Sequence, residues 1–206
     1  MCSSDLLCCI PTTAGTGSET TQYAILTNDE KQTKTSLSSP VLFPDLALLD
    51  SKYMESLTKN VMTNTVTDAF SHSVEGFLSN KANIITDALA LEAIKVIADL
   101  FPAIGEWRLT DENRAKLLYA STLGGMVIAH TGTTAVHSMG YSLTYFRDVD
   151  HGRANGLLLP EFLKFTEKGR PDRVSPILKA AGLASTDEFA AALSTLLGER
   201  ESVTED

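Results

Sequence analysis

The chain has 206 residues, 43% of them apolar and 21% charged, and carries a net charge of −9. That length buries a substantial core in one large domain or two small ones. The acidic balance argues against the basic face that nucleic-acid phosphates need, and no apolar run approaches the length of a membrane span.

In chain order, residues 1–6 (MCSSDL) correspond to what a common sequencing-adapter string would encode behind a GTG start. They are expected to be foreign to the fold, with native sequence opening near Leu7. The three cysteines, Cys2, Cys8 and Cys9, crowd into this end with no CxxC spacing, so neither a disulfide framework nor a thiolate metal site is indicated. No basic segment followed by an apolar stretch and cleavage site is visible, and a reducing, cytoplasmic location is the expectation.

Residues 7–50 have the texture of a β-rich or α/β piece. LLCCIPTT is an apolar run closed by a Pro–Thr turn, YAILT and TKTSLSS flank the turn NDEK as a hairpin, and DLALLD is a further strand. PTTAGTGSE, at 11–19, follows the first strand, and its small residues leave backbone N–H groups open to an anion or a ribose. It has neither the lysine of a P-loop nor a GxGxxG pattern, so by itself it is equally a plain Gly/Thr turn.

Near residue 52 the pattern turns helical. Apolar residues recur at three- and four-residue spacing in TDAFSHSVEGFL, ANIITDALALEAIKVIADLF, DENRAKLLYASTLGGMVIAH, NGLLLPEFLKF and STDEFAAALSTLL, the last with Ser185 or Thr186 as N-cap. Asn80, Lys81, Pro102, Gly132 and Gly169 mark helix ends. The polar GERESVTED closes the chain without a further element, and a C-terminal truncation is expected there.

Three of the four histidines sit in two separate segments with one well-placed carboxylate. Asp68 and His72 lie at i and i+4, on one face of a helix. His137 and His151 follow, 14 residues apart, a spacing that suits one ligand on a helix and one at the start of the next element. Three imidazoles and a carboxylate suit Fe²⁺ or Zn²⁺ and suit Ca²⁺ or Mg²⁺ poorly. Spacing alone leaves a simple Asp–His ion pair open. A helical metallohydrolase of the His-Asp phosphohydrolase kind needs a contiguous HD dipeptide, and only the reverse order, Asp150–His151, is present.

PTTAGTGSE, TDAFSHSVEGF and the pair HSMGY and DHGRANGLLLP, taken together and in order over most of residues 10–165, resemble the iron-containing alcohol dehydrogenases. The resemblance implies a mainly α fold of the dehydroquinate synthase-like kind. Residues 1–52 would be the remnant of an α/β cofactor-binding domain, and 53–206 an all-helical, metal-binding catalytic domain. It further implies Asp68, His72, His137 and His151 as ligands of Fe²⁺, with Zn²⁺ as the alternative, and contacts to NAD or NADP from Thr12, Thr13, Thr16, Ser18 and Lys34. The reaction implied is hydride transfer with a small alcohol or aldehyde, by a homo-oligomer when full length.

Two departures qualify it. The family's glycine-rich diphosphate loop and ribose-reading acid are not in this sequence, so the chain alone is expected to bind NAD(P)H weakly, and a catalytically inactive metal-binding fragment is the rival reading. Many relatives carry a second histidine four residues after the third ligand, near the nicotinamide; here that catalytic position, beside His151 in role, is Tyr141. A phenol donates a hydrogen bond but is a poorer proton shuttle at neutral pH than imidazole. His130 is expected to be structural and Phe146 to fill the core, with Tyr145 on the pocket wall or in that core.

Overall fold

The computed structural model describes residues 6–198; the readings placed on residues 1–5 and on the polar tail lie outside them. Four short strands precede eight helices among the described residues. The strands are β1 (Cys8–Cys9), β2 (Tyr23–Asn28), β3 (Thr33–Ser38) and β4 (Leu46–Ala47). β2 and β3 form the expected antiparallel hairpin, with Tyr23 opposite Ser38. β1 and β4 are shorter than their apolar runs suggest and pair in parallel, Cys8 with Leu46.

The helices are α1 (Lys59–Leu78), α2 (Ile84–Asp99), α3 (Phe101–Gly105), α4 (Asp111–Thr131), α5 (Ala135–Arg147), α6 (His151–Gly169), α7 (Pro171–Ala180) and α8 (Thr186–Leu197). None of them is long and apolar enough to cross a membrane. Ser185 is the N-cap of α8, its side chain accepting from Glu188 N–H. Pro102 marks the end of α2 at Asp99 and also sits in the first turn of the short α3, where a residue without an N–H costs nothing.

α1 is the axis of the domain. It packs on α2, α4 and α6, and its residues from Met62 to Phe77 are buried on almost every side. Such burial is tolerable because its small polar residues satisfy themselves on their own helix. Thr67, Ser71 and Ser73 hydroxyls donate to the carbonyls of Thr63, Thr67 and Ala69 at 2.8, 2.9 and 2.9 Å. Phe70, Ile94, Leu159, Leu163, Ile177 and Phe189 fill the space between α1 and its neighbours.

The hairpin lies across the helical end that carries the site. Gln22 Nε2 donates to the Ala129 carbonyl at 3.3 Å, and the Tyr23 hydroxyl to that of Ile128 at 3.4 Å, tying β2 to α4. The turn before it passes so close to α4 that a Cβ on Gly17, whose φ is +59°, would sit 2.5 Å from Gly125 Cα. Only glycine on both sides allows that approach.

Arg173 of α7 clamps the far end of α1. Its guanidinium holds Asp87 of α2 with two contacts of 2.7 Å, donates to the Phe77 carbonyl and stacks 3.8 Å above the Phe77 ring. Arg173→Ala is expected to cost about 2–3 kcal/mol, lowering the melting temperature by roughly 4–12 °C. A shift of under about 1 °C by circular dichroism would contradict this account.

Candidate metal centre

Four side chains from three helices meet at the floor of a cleft. Asp68 and His72 project from the middle of α1, His137 from the first turn of α5, and His151 opens α6. Asp68 Oδ1 lies 3.7 Å from His72 Nε2, 3.4 Å from His137 Nε2 and 3.5 Å from His151 Nε2. Ligand atoms about 2.1 Å from a tetrahedral ion stand about 3.4 Å apart, so these separations suit a shared ion better than a set of direct hydrogen bonds. Asp68, His72 and His137 form the tightest group, each offering a ligand atom within 4.8 Å of the others. His151 approaches chiefly through Asp68, and its side chain is 33% exposed, so it forms the side open to the cleft.

The rings are arranged face and edge around this point. His72 and His137 stack with centroids 4.8 Å apart, and His151 meets His137 edge-on at 5.2 Å. Tyr141, one turn along α5 from His137, lies flat against His151 at 5.5 Å and 17°. Asn155, one turn along α6 from His151, places Nδ2 3.0 Å from Asp68 Oδ1, and 3.1 and 3.2 Å from Nε2 of His137 and His151.

Charge at the centre favours a cation. Burial opposes ionisation of Asp68, but the charge of His72, the close approach of His137 and the remaining imidazole outweigh it and hold the carboxyl well below its usual range. Burial pushes His72 down to about 4 despite Asp68, and it lowers His151 as well. Burial also opposes charge on His137, yet the adjacent Asp68 carboxylate and the hydrogen-bonded Glu75 raise it to about 9. Burial, and then the charges of Asp68 and Glu75, keep the Tyr141 phenol neutral. At neutral pH the metal-free cluster therefore holds two carboxylates against one imidazolium and is anionic. Its donor set fits a borderline divalent ion.

Above this floor opens a cavity of about 540 Å³. Thr16, Ser18 and Lys34 line it together with Asp68, His72, His137, Tyr141 and His151. Thr12 and Thr13, of the same expected cofactor segment, do not. Lys34 Nζ donates to Thr27 Oγ1 at 2.8 Å across the hairpin. His130 lies outside the cavity, exposed, with Nδ1 2.8 Å from the Met126 carbonyl. Phe146 is not a core residue: it is 59% exposed near the end of α5, its ring edge-on to that of Tyr145. Tyr145 lies neither on the cavity wall nor in the core; its hydroxyl donates to Asp29 Oδ1 at 3.2 Å.

Glu75 and Asn155 are the two residues that pattern reading did not single out. Glu75 stands three residues after His72, on the same helical face, and Asn155 four after His151. Those spacings are the only signal either gives.

Fold and site together define a class: a helical domain with a candidate divalent-metal centre at the base of a cleft roofed by a β-hairpin. Residues 62–203 match the model for the C-terminal part of the Fe-containing alcohol dehydrogenase family, and 5–51 match the iron-containing alcohol dehydrogenase model. The chain belongs to the iron-containing alcohol dehydrogenase family.

It is 33% identical over 196 residues to the 1-propanol dehydrogenase PduQ of Salmonella typhimurium, covering 93% of this chain and 53% of that protein. It is 32% identical to the 1,3-propanediol dehydrogenase of Klebsiella pneumoniae, covering 84% and 45%. Among solved structures it is similar to an iron-containing alcohol dehydrogenase of Thermotoga maritima, with 41% identity, a TM-score of 0.83, and 92% and 51% coverage. It is also similar to the sulfoacetaldehyde reductase of Bifidobacterium kashiwanohense in complex with NAD⁺, with 31% identity, a TM-score of 0.85, and 95% and 53% coverage. The chain spans about half the length of the curated relatives it matches.

Proposed function

We propose that this chain holds the metal centre of an NAD(P)-linked alcohol dehydrogenase that also reduces aldehydes, with Fe²⁺ as the ion and Zn²⁺ as the alternative. The observation that carries the reading is the approach of three imidazole Nε2 atoms to Asp68 Oδ1, each at 3.4–3.7 Å, beneath a cleft that also holds Thr16, Ser18 and Lys34. The relatives support it. They include dehydrogenases of propanol and propanediol, and an aldehyde reductase solved with NAD⁺.

A divalent ion supplies Lewis acidity toward a substrate oxygen, the property that eases hydride exchange with a nicotinamide. The chain's own groups do the rest. His151 forms the open side of the centre, so a substrate oxygen approaches past it from the cleft. Tyr141, flat on His151 and held neutral, offers a hydrogen-bond donor and not a base. Lys34 on β3 provides positive charge at the cleft wall for an anionic part of the cofactor, and the Thr16 and Ser18 hydroxyls offer partners for its polar groups.

Metal analysis of the purified protein, followed by a screen of short aldehydes with NADH and NADPH, tests this reading. About one Fe²⁺ or Zn²⁺ per chain with aldehyde-dependent oxidation of either cofactor is expected; metal below roughly a tenth of a site would refute it. Stoichiometric metal without cofactor oxidation would leave the chain a metal-binding unit and no enzyme by itself.

A further inference from the structure

We propose that Glu75 is a positioning residue for the metal centre: it fixes the His137 ring so that Nε2, and only Nε2, is offered to the ion. This rests on the metal reading above and adds to it a residue that touches neither ion nor substrate. Glu75 is fully buried in α1, two turns beyond Asp68, and each of its oxygens has a separate task. Oε1 accepts from Thr134 N–H at 2.8 Å, from Val136 N–H at 3.1 Å and from the Thr134 hydroxyl. Oε2 meets His137 Nδ1.

The first oxygen acts as an N-cap supplied from another helix. Thr134, the N-cap residue of α5, makes no side-chain cap bond of its own, and Glu75 takes the free N–H groups of that first turn instead. This fixes where α5 begins relative to α1, and His137 is in that same turn.

The second oxygen goes beyond what capping needs. A carboxylate on Nδ1–H sets the tautomer and the rotation of the ring, leaving the Nε2 lone pair facing Asp68. His72, the other fully enclosed imidazole, has no partner at Nδ1 among the described residues, so this restraint falls on His137 alone of that pair. Glu75 also adds a second buried negative charge, and with Asp68 it balances a divalent ion that the apolar surroundings would otherwise disfavour.

Competition of the full chain with a chromogenic chelator for Zn²⁺ tests the assignment. Glu75→Gln keeps size and burial but loses the charge, and its amide cannot serve all four donors. It is expected to weaken Zn²⁺ binding about 10- to 100-fold. Thr134→Ala removes a capping contact without touching the ring, and should hold affinity within about threefold while losing some stability. Glu75→Asp keeps the charge but shortens the reach, and should weaken binding even if Glu75→Gln does not fold. In the Zn²⁺-loaded chain, ring nitrogen shifts should show His137 protonated at Nδ1 and this signature lost in Glu75→Gln. Wild-type affinity in Glu75→Asp or Glu75→Gln, or an equal loss in Thr134→Ala, would overturn the proposal. Failure of the unsubstituted chain to take up Zn²⁺ would instead overturn the metal reading, and this inference with it.

Discussion

Asp68→Ala is expected to abolish metal retention, with affinity falling about 10²- to 10⁴-fold and any dehydrogenase activity falling with it. Asp68 is the hub of the candidate centre: its Oδ1 lies within 3.7 Å of all three imidazole nitrogens, and among the described residues it is the only carboxylate in contact with all of them. Without it, three imidazoles would have to hold a divalent ion with Glu75, one residue removed, as the remaining negative charge. Breaking a buried charge pair from one side costs about 3–5 kcal/mol, which corresponds to the affinity range given. His151→Ala should do less to binding, because His151 sits on the exposed side and water can take its place. Inductively coupled plasma analysis of dialysed protein reads both variants. Wild-type metal content in Asp68→Ala, or turnover near normal with metal content below about a tenth of a site, would defeat the assignment.

The candidate ligands were open to sequence reading because metal chemistry restricts residue type and spacing, and the resemblance to the iron-containing alcohol dehydrogenases then singled them out from a simple Asp–His ion pair. Asp68 and His72 had to share a helical face, and they do. His137 and His151 had to come from different elements, and they occupy the starts of two successive helices. Periodicity also exposed most of the helices, but it misjudged α1. That helix begins at Lys59, eight residues before the segment read as helical from Thr67, although the buried Met62 and Val66 already start its apolar stripe; the polar Thr63, Asn64 and Thr65 between them masked it. α7 was hidden by its two prolines, one at its start and Pro176 inside it.

Other features depend on tertiary placement that no local pattern encodes. Nothing in HSVEGF says that Glu75 reaches forward to the start of α5. Nothing in SLTYF says that Phe146 faces outward and not into the core. The cleft wall shows the same limit: Thr16 and Ser18 line it while Thr12 and Thr13, in the same short segment, do not. Which residues of that segment face the cavity depends on the turn at Gly17 and its packing on α4.

Gly152→Ala is the second large effect expected, and it separates the architecture of the centre from its ligands. Gly152 follows His151 in the first turn of α6, pressed against α1. A Cβ there would lie 1.8 Å from the Asn64 carbonyl oxygen and 3.0 Å from Asp68 Cβ. The obstacle is backbone in the middle of a buried helix, so no side-chain rotation relieves it; α6 must move away from α1. That displacement carries His151 away from Asp68, which makes the glycine a spacing requirement of the metal centre as well as of the fold. Overpacking of this kind costs about 1–3 kcal/mol, or roughly 2–12 °C in melting temperature, and more if the shift spreads along the helix. Metal affinity should fall in the same variant although every ligand is intact. Gly169→Ala, at the last residue of α6, is the control: nothing lies within 4 Å of its added Cβ, so alanine should leave stability within about 1 kcal/mol and metal affinity unchanged. If Gly152→Ala melted and bound metal as Gly169→Ala does, α1 and α6 would not approach as closely as Gly152 requires, and one missing methyl group would not set the distance between Asp68 and His151.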